Sequence, residues 1–343
     1  MRQPPSVLSE IHAGYRPAWW LPGPHLQTLW AARARPKPSI HVQAQRLELP
    51  DGDFLDLAFT PGSSHDDAPT VLILHGLEGS IDSAYVRRLM RTVAARGWTA
   101  CLMHFRGCSG VPNRLPRSYH SGDTGDIAHV IEALRKRRPH SMLAAVGFSM
   151  GGNVLLKYLG ERQATAPLAA AVAVSVPFDL AAAADRLQQG FSRVYQAHLI
   201  RHLRIRMQGK LQRHANLPFT ARDLARVRSF REYDDWITAP LHGFRSADDY
   251  YAKSSSAGFI GAVQRPTLIL HARDDPFLPA SAVPGTRDCG PGVTLELPAH
   301  GGHIGFVTDP LPGLVRPWLE EHLCAFLAQE MAVSTAPVLA ASG

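Results

Sequence analysis

The sequence predicts an α/β fold in which a mostly parallel sheet of eight strands is flanked by helices and carries an inserted helical cap. Short β-branched or apolar runs alternate with amphipathic stretches along most of the 343 residues, which is typical of βαβ units. The alternation stops at Pro177, and about 85 residues pass before it resumes at Pro266. Because a structureless loop of that length is rare inside a domain, we expect the interval to form its own helices.

The composition is that of a globular protein. Hydrophobic residues make up 45% of the chain, and 28 glycines and 27 prolines are scattered along it, which excludes a disordered, collagenous or coiled-coil protein. The four cysteines show no C-x-x-C pair, which argues against a disulfide scaffold or a zinc site and favours a reducing compartment. No stretch is typical of a secretory signal or of a membrane span. A cytoplasmic location is therefore expected.

The predicted core begins with a hairpin. Arg46–Leu49 and Phe54–Phe59 flank Asp51-Gly52, a turn dipeptide that favours an antiparallel connection. Thr70–Leu74 is a continuous apolar run of the kind buried in parallel sheets. The following segment, Ser83–Arg96, has apolar residues at helical spacing and ends before a glycine, so it is predicted as a helix.

The same patterns predict the rest of the core. Apolar runs indicate the remaining strands at Thr99–Phe105, Leu143–Phe148, Leu168–Val176, Pro266–His271 and Val293–Leu297. A helix is predicted from the capping residue Asp123 to about Arg138, and another begins at Gly151 directly after a strand. Val315–Glu330 is predicted as the closing helix because its apolar residues recur at helical spacing.

These elements divide the chain into four predicted parts. Residues 1–44 form an N-terminal arm, 45–178 with 260–330 form the core, 179–259 form the helical cap, and 331–343 form a disordered tail rich in Ala, Ser and Thr. Apolar residues recur at helical spacing within the predicted cap, at Leu187, Phe191, Val194, Tyr195, Leu199 and Leu203.

The net charge of +7 is concentrated in the predicted cap. Residues 185–231 contain eleven Lys or Arg residues and two acids, a net charge of +9, so the rest of the chain carries −2. Because few aromatic residues are interleaved with these cations, nucleic-acid binding is not expected. The cap arginines are expected either to pair with acids of the core or to face an anionic lipid surface or substrate.

A candidate nucleophile lies between a predicted strand and a predicted helix. Gly147-Phe148-Ser149-Met150-Gly151 matches the G-x-S-x-G nucleophile elbow, in which a sharp turn exposes the serine hydroxyl and leaves no room for side chains two residues away. A structural turn serine is the alternative, which the strand-turn-helix context disfavours. Ser149 is therefore the predicted nucleophile, and the Met150 N–H is a predicted oxyanion donor.

Such a serine needs an acid and a histidine, which follow it in the chain order Ser, Asp, His. Asp275, after the strand Pro266–His271, is predicted as the acid. Its neighbour Asp274 is the alternative, because adjacent turn residues are easily misregistered by one. Asp179 is a more distant alternative, for which a helix N-cap is the stronger interpretation.

The predicted base lies in the loop Ala299–Phe306, which holds two histidines. His303 is flanked by glycines and lies far enough from the strand to reach over the sheet edge, so it is predicted as the base. His300 is expected to order the loop. Because the chain has 17 histidines, position rather than residue type selects His303.

The second oxyanion donor is expected after the strand Thr70–Leu74. There the chain reads His75-Gly76-Leu77-Glu78-Gly79, with the Leu77 N–H as the predicted donor and His75 as a residue that shapes the loop. A simple glycine-rich strand exit is the alternative. No G-x-x-x-x-G-K, G-x-G-x-x-G or H-E-x-x-H motif is present, so no cofactor and no metal is predicted.

Several motifs in one order resemble those of the YheT-like α/β-hydrolases, also called the AB hydrolase 4 family. These motifs are Pro17–Thr28, Phe105–Gly110 with Pro112-Asn113, Tyr119–Asp123, Gly147–Asn153, Asp274–Phe277 and His300–Phe306. The resemblance runs from about residue 15 to residue 328 and implies an α/β-hydrolase fold. It also implies the family's charge-relay positions at Ser149, at His303 and at one aspartate of the pair Asp274-Asp275.

The family includes bacterial hydrolases of poorly defined substrate and eukaryotic acylglycerol lipases, phospholipases and medium-chain acyl ester synthase/esterases. The N-terminal membrane anchor of the eukaryotic members is not expected here, which weakens the transfer of membrane-lipid substrates. The resemblance and the residues together predict a serine hydrolase that cleaves short- to medium-chain acyl esters or acylglycerols through an acyl-enzyme intermediate.

Other functions use the same residues or none of them. An acyltransferase or a thioesterase would use the same triad, and a catalytically inert binding module is the alternative outside enzymes. The intact order of serine, acid and base argues against the inert module. A small acyl ester is the expected partner, and the sequence leaves the oligomeric state open.

Two groups of residues each have two interpretations. One group either lines an acyl pocket or packs the arm on the sheet or cap: Trp19, Trp20, His25 and Gln27. The other group either contacts substrate or forms a hydrogen-bonded loop scaffold: Arg106, Asn113, Arg117 and His120.

Overall fold

The structure is a computed structural model that describes residues 14–61 and 67–335. Its strands are β1 (Gln43–Glu48), β2 (Phe54–Phe59), β3 (Thr70–Leu74), β4 (Thr99–Met103), β5 (Leu143–Phe148), β6 (Ala170–Val174), β7 (Thr267–Leu270) and β8 (Val293–Glu296). They form one sheet in the order β1-β2-β4-β3-β5-β6-β7-β8. The pairs β1/β2 and β2/β4 are antiparallel, and every other neighbouring pair is parallel. The predicted mostly parallel sheet of eight strands is confirmed.

Helices connect most of these strands. In chain order they are α1 (Pro24–Leu29), α2 (Ala84–Ala95), α3 (Thr124–Arg137), α4 (Met150–Arg162), α5 (Leu180–Arg186), α6 (Ser192–Arg213), α7 (Ala221–Arg226), α8 (Phe230–Tyr233), α9 (Ala239–His242), α10 (Ala247–Ser254) and α11 (Trp318–Thr335). A π-helical turn, Trp30–Ala34, continues α1, and another, Asp234–Thr238, joins α8 to α9.

The central strands place alternate side chains in two apolar layers. In β3, Leu72 and Leu74 pack with side chains of α3 and α4, whereas Val71 and Ile73 pack with side chains of α2 and α11. This period of two, with both faces covered by helices, explains why the strand reads as a continuous apolar run. Because these strands run parallel, the carboxyl ends of β3, β5, β6, β7 and β8 meet at one edge of the sheet, where ligands bind in such folds.

The segment predicted as the cap, residues 179–259, contains α5 to α10 between β6 and β7. Its longest helix, α6, packs Ile200, Leu203 and Met207 against Leu224 of α7 and Ile237 of the second π-helical turn. This apolar cluster is distinct from the two layers of the sheet. The helical structure predicted for this interval is therefore present.

Several element boundaries differ from the predictions, and β1 spans Gln43–Glu48 rather than Arg46–Leu49. β4 ends at Met103 rather than Phe105, and β6 spans Ala170–Val174 rather than Leu168–Val176, because the chain leaves the sheet to form loops at its carboxyl edge. Asp123 precedes α3 as predicted, but its carboxylate accepts a hydrogen bond from Arg117 at 2.6 Å and none from the helix N–H groups.

The prediction that a disordered tail begins at Met331 is wrong for its first residues. α11 continues to Thr335, and Met331 is buried among the side chains between α11 and the sheet. Burial of this apolar side chain extends the helix beyond the last residue of the predicted pattern. The remainder of the predicted tail and the first 13 residues of the predicted arm lie outside the described residues.

None of the helices in the described ranges is both long enough and apolar enough to cross a lipid bilayer.

Candidate active site

Ser149 lies at the turn between β5 and α4 with φ 51° and ψ −120°, a conformation that is strained for a residue with a side chain. A Cβ atom built on Gly147 would lie 2.5 Å from the Gly151 carbonyl oxygen, and one built on Gly151 would lie 2.5 Å from the Leu74 carbonyl oxygen. Because these neighbours are backbone atoms, neither position accommodates a side chain. The prediction that the elbow leaves no room for side chains two residues before and after the serine is confirmed.

Ser149, His303 and Asp275 form one hydrogen-bonded chain. His303 Nε2 lies 3.1 Å from Ser149 Oγ, and His303 Nδ1 lies 2.9 Å from Asp275 Oδ2 and 3.1 Å from its Oδ1. A carboxylate accepts the proton on Nδ1, so Nε2 is left as an acceptor for the serine hydroxyl. The predicted nucleophile, base and preferred acid are thus brought together by loops after β5, β8 and β7.

The loop after β7 holds the imidazole on two sides. Phe277 stacks on the His303 ring, with centroids 3.8 Å apart and planes 3° apart. Its N–H also donates to Asp275 Oδ1 at 2.8 Å, and the Asp275 carboxylate is buried. Sequence reasoning assigned Phe277 no role, and its only signal was its place two residues after the predicted acid.

The two alternative acids contact other groups. Asp274 Oδ1 accepts the Gly302 N–H at 2.9 Å, and its Oδ2 lies 3.3 Å from Nδ1 of His300. Asp179 Oδ1 accepts the Ala182 N–H at 2.9 Å and caps α5. Asp274 and His300 therefore order the histidine loop, and Asp275 is the aspartate at the imidazole.

Two hydroxyls hold the backbone of the histidine loop. Thr28 Oγ1 accepts the His303 N–H at 2.9 Å and donates to the Pro24 carbonyl at 2.7 Å. Ser175 Oγ accepts the N–H of Ile304 at 2.9 Å. Thr28 belongs to α1 of the arm and Ser175 directly follows β6, and sequence reasoning singled out neither hydroxyl.

The predicted oxyanion donors have free N–H groups. Across residues 14–61 and 67–335, neither the Leu77 nor the Met150 backbone N–H donates to a protein acceptor. The N–H of Gly76, the residue before Leu77, donates instead to Tyr85 Oη at 2.8 Å. Leu77 and Ser149 line the same cavities. Both free donors are therefore available close to the serine.

His75 shapes this loop, as predicted. Its Nδ1 donates to the Gly76 carbonyl at 2.7 Å, and its Nε2 accepts the Phe105 N–H at 3.2 Å, which ties the loop after β3 to the loop after β4. Burial lowers the pKa of His75 to about 3, so the imidazole is neutral and able to accept.

Backbone strain is concentrated at the carboxyl edge of the sheet. Five non-glycine residues in these loops have positive φ: Glu78, Ser149, Ser175, Ile304 and Phe306. Such conformations persist only where surrounding contacts impose them, and they cluster at functional sites.

Two cavities meet at Ser149. The inner cavity, of about 120 Å³, lies between the serine and the cap, and the outer cavity, of about 420 Å³, lies between α1, the loop after β3 and α6. Ser149, Leu77, Leu199 and Phe277 line both. The inner wall is mainly apolar, with Leu180, Ala183, Ala184, Leu187, Leu203 and Phe230 contributed by cap helices.

The inner cavity also has a polar part, formed by His120, Asp234 and Tyr251 among others. Burial lowers the pKa of His120 to about 3. Burial also raises the pKa of Asp234 to about 7, although its carboxylate accepts hydrogen bonds from Thr238 and Tyr251. His120 is therefore neutral near pH 7, and Asp234 is only partly ionised there, so this wall carries less charge than its residue types suggest.

The four arm residues with two interpretations line neither of the cavities at Ser149. Trp20 stacks edge-on against Trp30, and its indole N–H donates to the Asp309 carbonyl at 2.9 Å. Gln27 is buried and its Oε1 accepts the Val307 N–H at 2.9 Å. His25 Nδ1 lies 3.1 Å from Tyr195 Oη of the cap. Trp19 is 76% exposed, so the interpretation that packs it on the sheet or cap is wrong for this residue. Its indole N–H donates to the Pro310 carbonyl.

Three residues of the second group form a hydrogen-bonded scaffold, in which Arg106 and Asn113 are buried and Arg117 is partly exposed. Arg106 is paired with Asp126 at 2.7 Å and Asp53 at 3.2 Å, and Asn113 donates to Asp53 at 2.7 Å. Arg117 pairs with Asp123, as described above. Of the four residues weighed, His120 is the one that lines a cavity with Ser149.

An eight-stranded sheet with a serine elbow, a histidine after the last strand and helices inserted after β6 defines the α/β-hydrolase class. A family model described as alpha/beta hydrolase fold matches residues 69–310. The chain is 42% identical to the YheT protein of Escherichia coli strain K12 over 87% of this chain and 88% of that protein. The chain therefore belongs to the α/β-hydrolase fold family and, within it, to the YheT-like group.

More distant relatives carry enzyme names. A monoacylglycerol lipase of Saccharomyces cerevisiae is 32% identical over 78% of this chain and 61% of that protein, and a phospholipase of Mus musculus is 30% identical over 87% and 74%. Among solved structures, an esterase of Pyrococcus furiosus superposes with a TM-score of 0.57 at 16% identity, covering 85% of this chain and 92% of that one. The structural likeness shows a shared fold.

Proposed function

We propose that this protein is a serine hydrolase that cleaves carboxylic esters, with Ser149 as nucleophile, His303 as base and Asp275 as the orienting acid. The observation that carries the proposal is the His303 imidazole, which hydrogen-bonds Ser149 on one side and Asp275 on the other beside an apolar cavity. The lipase and phospholipase names of relatives support an ester as the substrate.

Acylation begins at the strained serine. His303 Nε2 takes the hydroxyl proton as Ser149 Oγ attacks the ester carbonyl carbon, and the carbonyl electron pair moves onto its oxygen. The N–H groups of Leu77 and Met150 donate to this oxyanion, and Asp275 stabilises the imidazolium that forms. Collapse breaks the bond to the leaving oxygen, which receives the proton from Nε2 and departs as an alcohol.

Deacylation repeats these steps with water. His303 takes a proton from water, the hydroxide oxygen attacks the acyl carbon, and the same two N–H groups hold the second oxyanion. Collapse returns the proton to Ser149 Oγ and releases the carboxylic acid. The free enzyme is restored without a cofactor.

The two cavities separate the halves of the ester. The inner, largely apolar cavity accommodates the acyl chain, and the larger outer cavity accommodates the leaving alcohol. The small side chains of Ala183 and Ala184 in α5 form part of the inner cavity wall on the cap side. Short- to medium-chain acyl esters and acylglycerols are the proposed substrates.

The test is ester turnover by Ser149→Ala. The variant should lower kcat on p-nitrophenyl esters by about 10⁶-fold, because the nucleophile is lost, while the thermal unfolding midpoint stays near that of the wild type. A series of acyl chains from two to sixteen carbons gives the length preference. Undiminished turnover by Ser149→Ala would contradict the proposed function.

We further propose that two cap cations, the exposed Arg201 and the partly exposed Arg204, contact an anionic lipid surface. In the described part of the chain no carboxylate lies within ion-pair distance of Arg201 or Arg204 of α6, and Ile205 beside them is 62% exposed. Arg206 is different, since it pairs with Glu78 of the core at 2.8 Å. The cap arginines therefore divide between the two expected roles.

Vesicle binding tests this contact without touching Arg206. Arg201→Gln combined with Arg204→Gln should weaken sedimentation with phosphatidylglycerol vesicles and leave the weak binding to phosphatidylcholine unchanged, because the attraction is electrostatic. Equal sedimentation of wild type and variant with anionic vesicles would mean that these arginines only solvate the helix. A cytoplasmic location stays a prediction from the sequence.

A further inference from the structure

Glu78 follows the predicted oxyanion donor Leu77 and has φ 56°, in the left-handed region that residues with side chains disfavour. Because each peptide unit is planar, the plane between these two residues carries the Leu77 carbonyl and the Glu78 N–H, whereas the Leu77 N–H belongs to the plane before it. Glu78 therefore restrains the Leu77 N–H by fixing the following side of the Leu77 backbone. A glycine would adopt the left-handed conformation freely, so a glutamate here must be held by its own contacts.

Two side chains hold Glu78. The Tyr119 hydroxyl accepts the Glu78 N–H at 3.1 Å and donates to its Oε1 at 2.6 Å. Arg206 of α6 forms a two-pronged ion pair, with Nε 2.8 Å from Oε1 and Nη2 3.0 Å from Oε2, and it also donates to the Gly107 carbonyl. The backbone and the carboxylate of one residue are therefore both restrained.

These contacts are shielded from water. The side chain of Glu78 is 7% exposed and that of Arg206 is 19% exposed. Burial raises the pKa of Tyr119 well above its usual range, so its hydroxyl remains a donor to the carboxylate at any working pH. A buried two-pronged pair of this kind has a defined direction, unlike an exposed ion pair.

Leu77 is tied to the same helix. Its side chain packs against the apolar cluster that Ile200, Leu203 and Met207 of α6 form with the rest of the cap. α6 thus contacts the side chains of both Leu77 and Glu78, two consecutive residues of the loop after β3.

We propose that Glu78 is a positioning residue, which, through its pair with Arg206, makes the orientation of the Leu77 N–H depend on the docking of cap helix α6. The oxyanion site is then complete only while the cap is closed over the inner cavity. This inference rests on the proposed function, in which the Leu77 N–H stabilises the oxyanion.

The kinetic test uses Glu78→Gln, Arg206→Met and the conservative Arg206→Lys. Glu78→Gln and Arg206→Met should each lower kcat/KM on p-nitrophenyl butyrate by about 10- to 100-fold, less than the 10²- to 10³-fold expected for a lost oxyanion donor. KM should change by less than about threefold, and Arg206→Lys should recover part of the loss. The double variant should fall no further than the worse single variant, because both break one pair.

A trifluoromethyl ketone with a short acyl chain is the second kinetic probe, since it adds to the serine and places a negative oxygen in the oxyanion site. Its Ki should rise in parallel with the loss of kcat/KM across the variants. Arg222→Met, which removes an exposed cation from α7, is the charge-matched control and should behave as wild type.

Hydrogen exchange of residues 75–81 provides a readout that needs no catalysis. Exchange of this segment should accelerate about tenfold or more in Glu78→Gln and Arg206→Met and stay unchanged in Arg222→Met. If the wild-type protein had no esterase activity but the two variants still exchanged faster than it, the coupling of Glu78 to α6 would stand and the proposed function would be rejected. Unchanged exchange and Ki, or a raised KM with unchanged kcat, would overturn the positioning role.

Discussion

Thr28 offers a sharp test of how the N-terminal arm supports the site. Its hydroxyl accepts the His303 N–H at 2.9 Å, and the residue is largely buried at the edge of the outer cavity. Thr28→Val keeps the shape of the side chain and removes both the acceptor for the His303 N–H and the donor to the Pro24 carbonyl, an oxygen at the start of α1. The change leaves one buried N–H unpaired in the loop that carries the catalytic imidazole.

The expected magnitude follows from that single orphaned donor. An unsatisfied buried N–H costs about 1–3 kcal/mol, and each 1.4 kcal/mol is about a tenfold change in an equilibrium. The bonds from Ile304 to Ser175 and from Val307 to Gln27 still hold the loop on either side. We therefore expect the lower part of the range, a loss of about tenfold in kcat/KM, expressed mainly in kcat.

The assay is p-nitrophenyl ester turnover across pH, with Thr28→Ser as the matched control. Serine keeps the hydroxyl and loses only a methyl group, so Thr28→Ser should retain activity within about twofold. Wild-type kcat/KM in Thr28→Val would show that the hydrogen bond does not orient His303. Equal defects in the two variants would attribute the effect to packing of the methyl group.

Two further predictions separate neighbouring carboxylates and test a buried one. Asp275→Asn should lower kcat by about 10⁴-fold while Asp274→Asn costs less than about tenfold, since only Asp275 contacts the imidazole; similar losses in kcat assays would contradict this. Because burial raises the pKa of Asp234 to about 7, its contribution to stability is full below about pH 3.8 and declines as pH rises to 7. Asp234→Asn should lack that decline in Tm measured from pH 4 to 8, and parallel Tm profiles of the two proteins would refute the shift.

Local patterns predicted the elements well. Thr70–Leu74 and Leu143–Phe148 were predicted to the residue, because continuous apolar runs bounded by turns define strands buried on both faces. Strand ends at the carboxyl edge were less accurate, as at β4, because apolar residues continue into loops that bear the site. The last helix ran past its predicted end because Met331 finds an apolar partner in the sheet layer.

Within the site, the sequence predicted the residues that belong to a recognisable motif. It did not predict residues whose role depends on a contact with a distant part of the chain. The elbow around Ser149 follows from the backbone geometry of five consecutive residues. The choice between Asp274 and Asp275 does not, because both occupy one turn and only the packing of that turn directs one carboxylate at His303. The stacking of Phe277 on His303 could likewise not be predicted, because the residues next to Phe277 in the sequence do not specify where the imidazole lies.

The sequence by itself determined the α/β class, the interruption at Pro177 and the chain order of serine, acid and base, because each depends on short-range periodicity or on the steric needs of adjacent residues. Only the tertiary structure decided the pairs that complete the site. Thr28 and His303 are 275 residues apart, and Glu78 and Arg206 are 128 residues apart. Such contacts arise when the sheet edge, the arm and the cap pack together, and no local pattern encodes that distance.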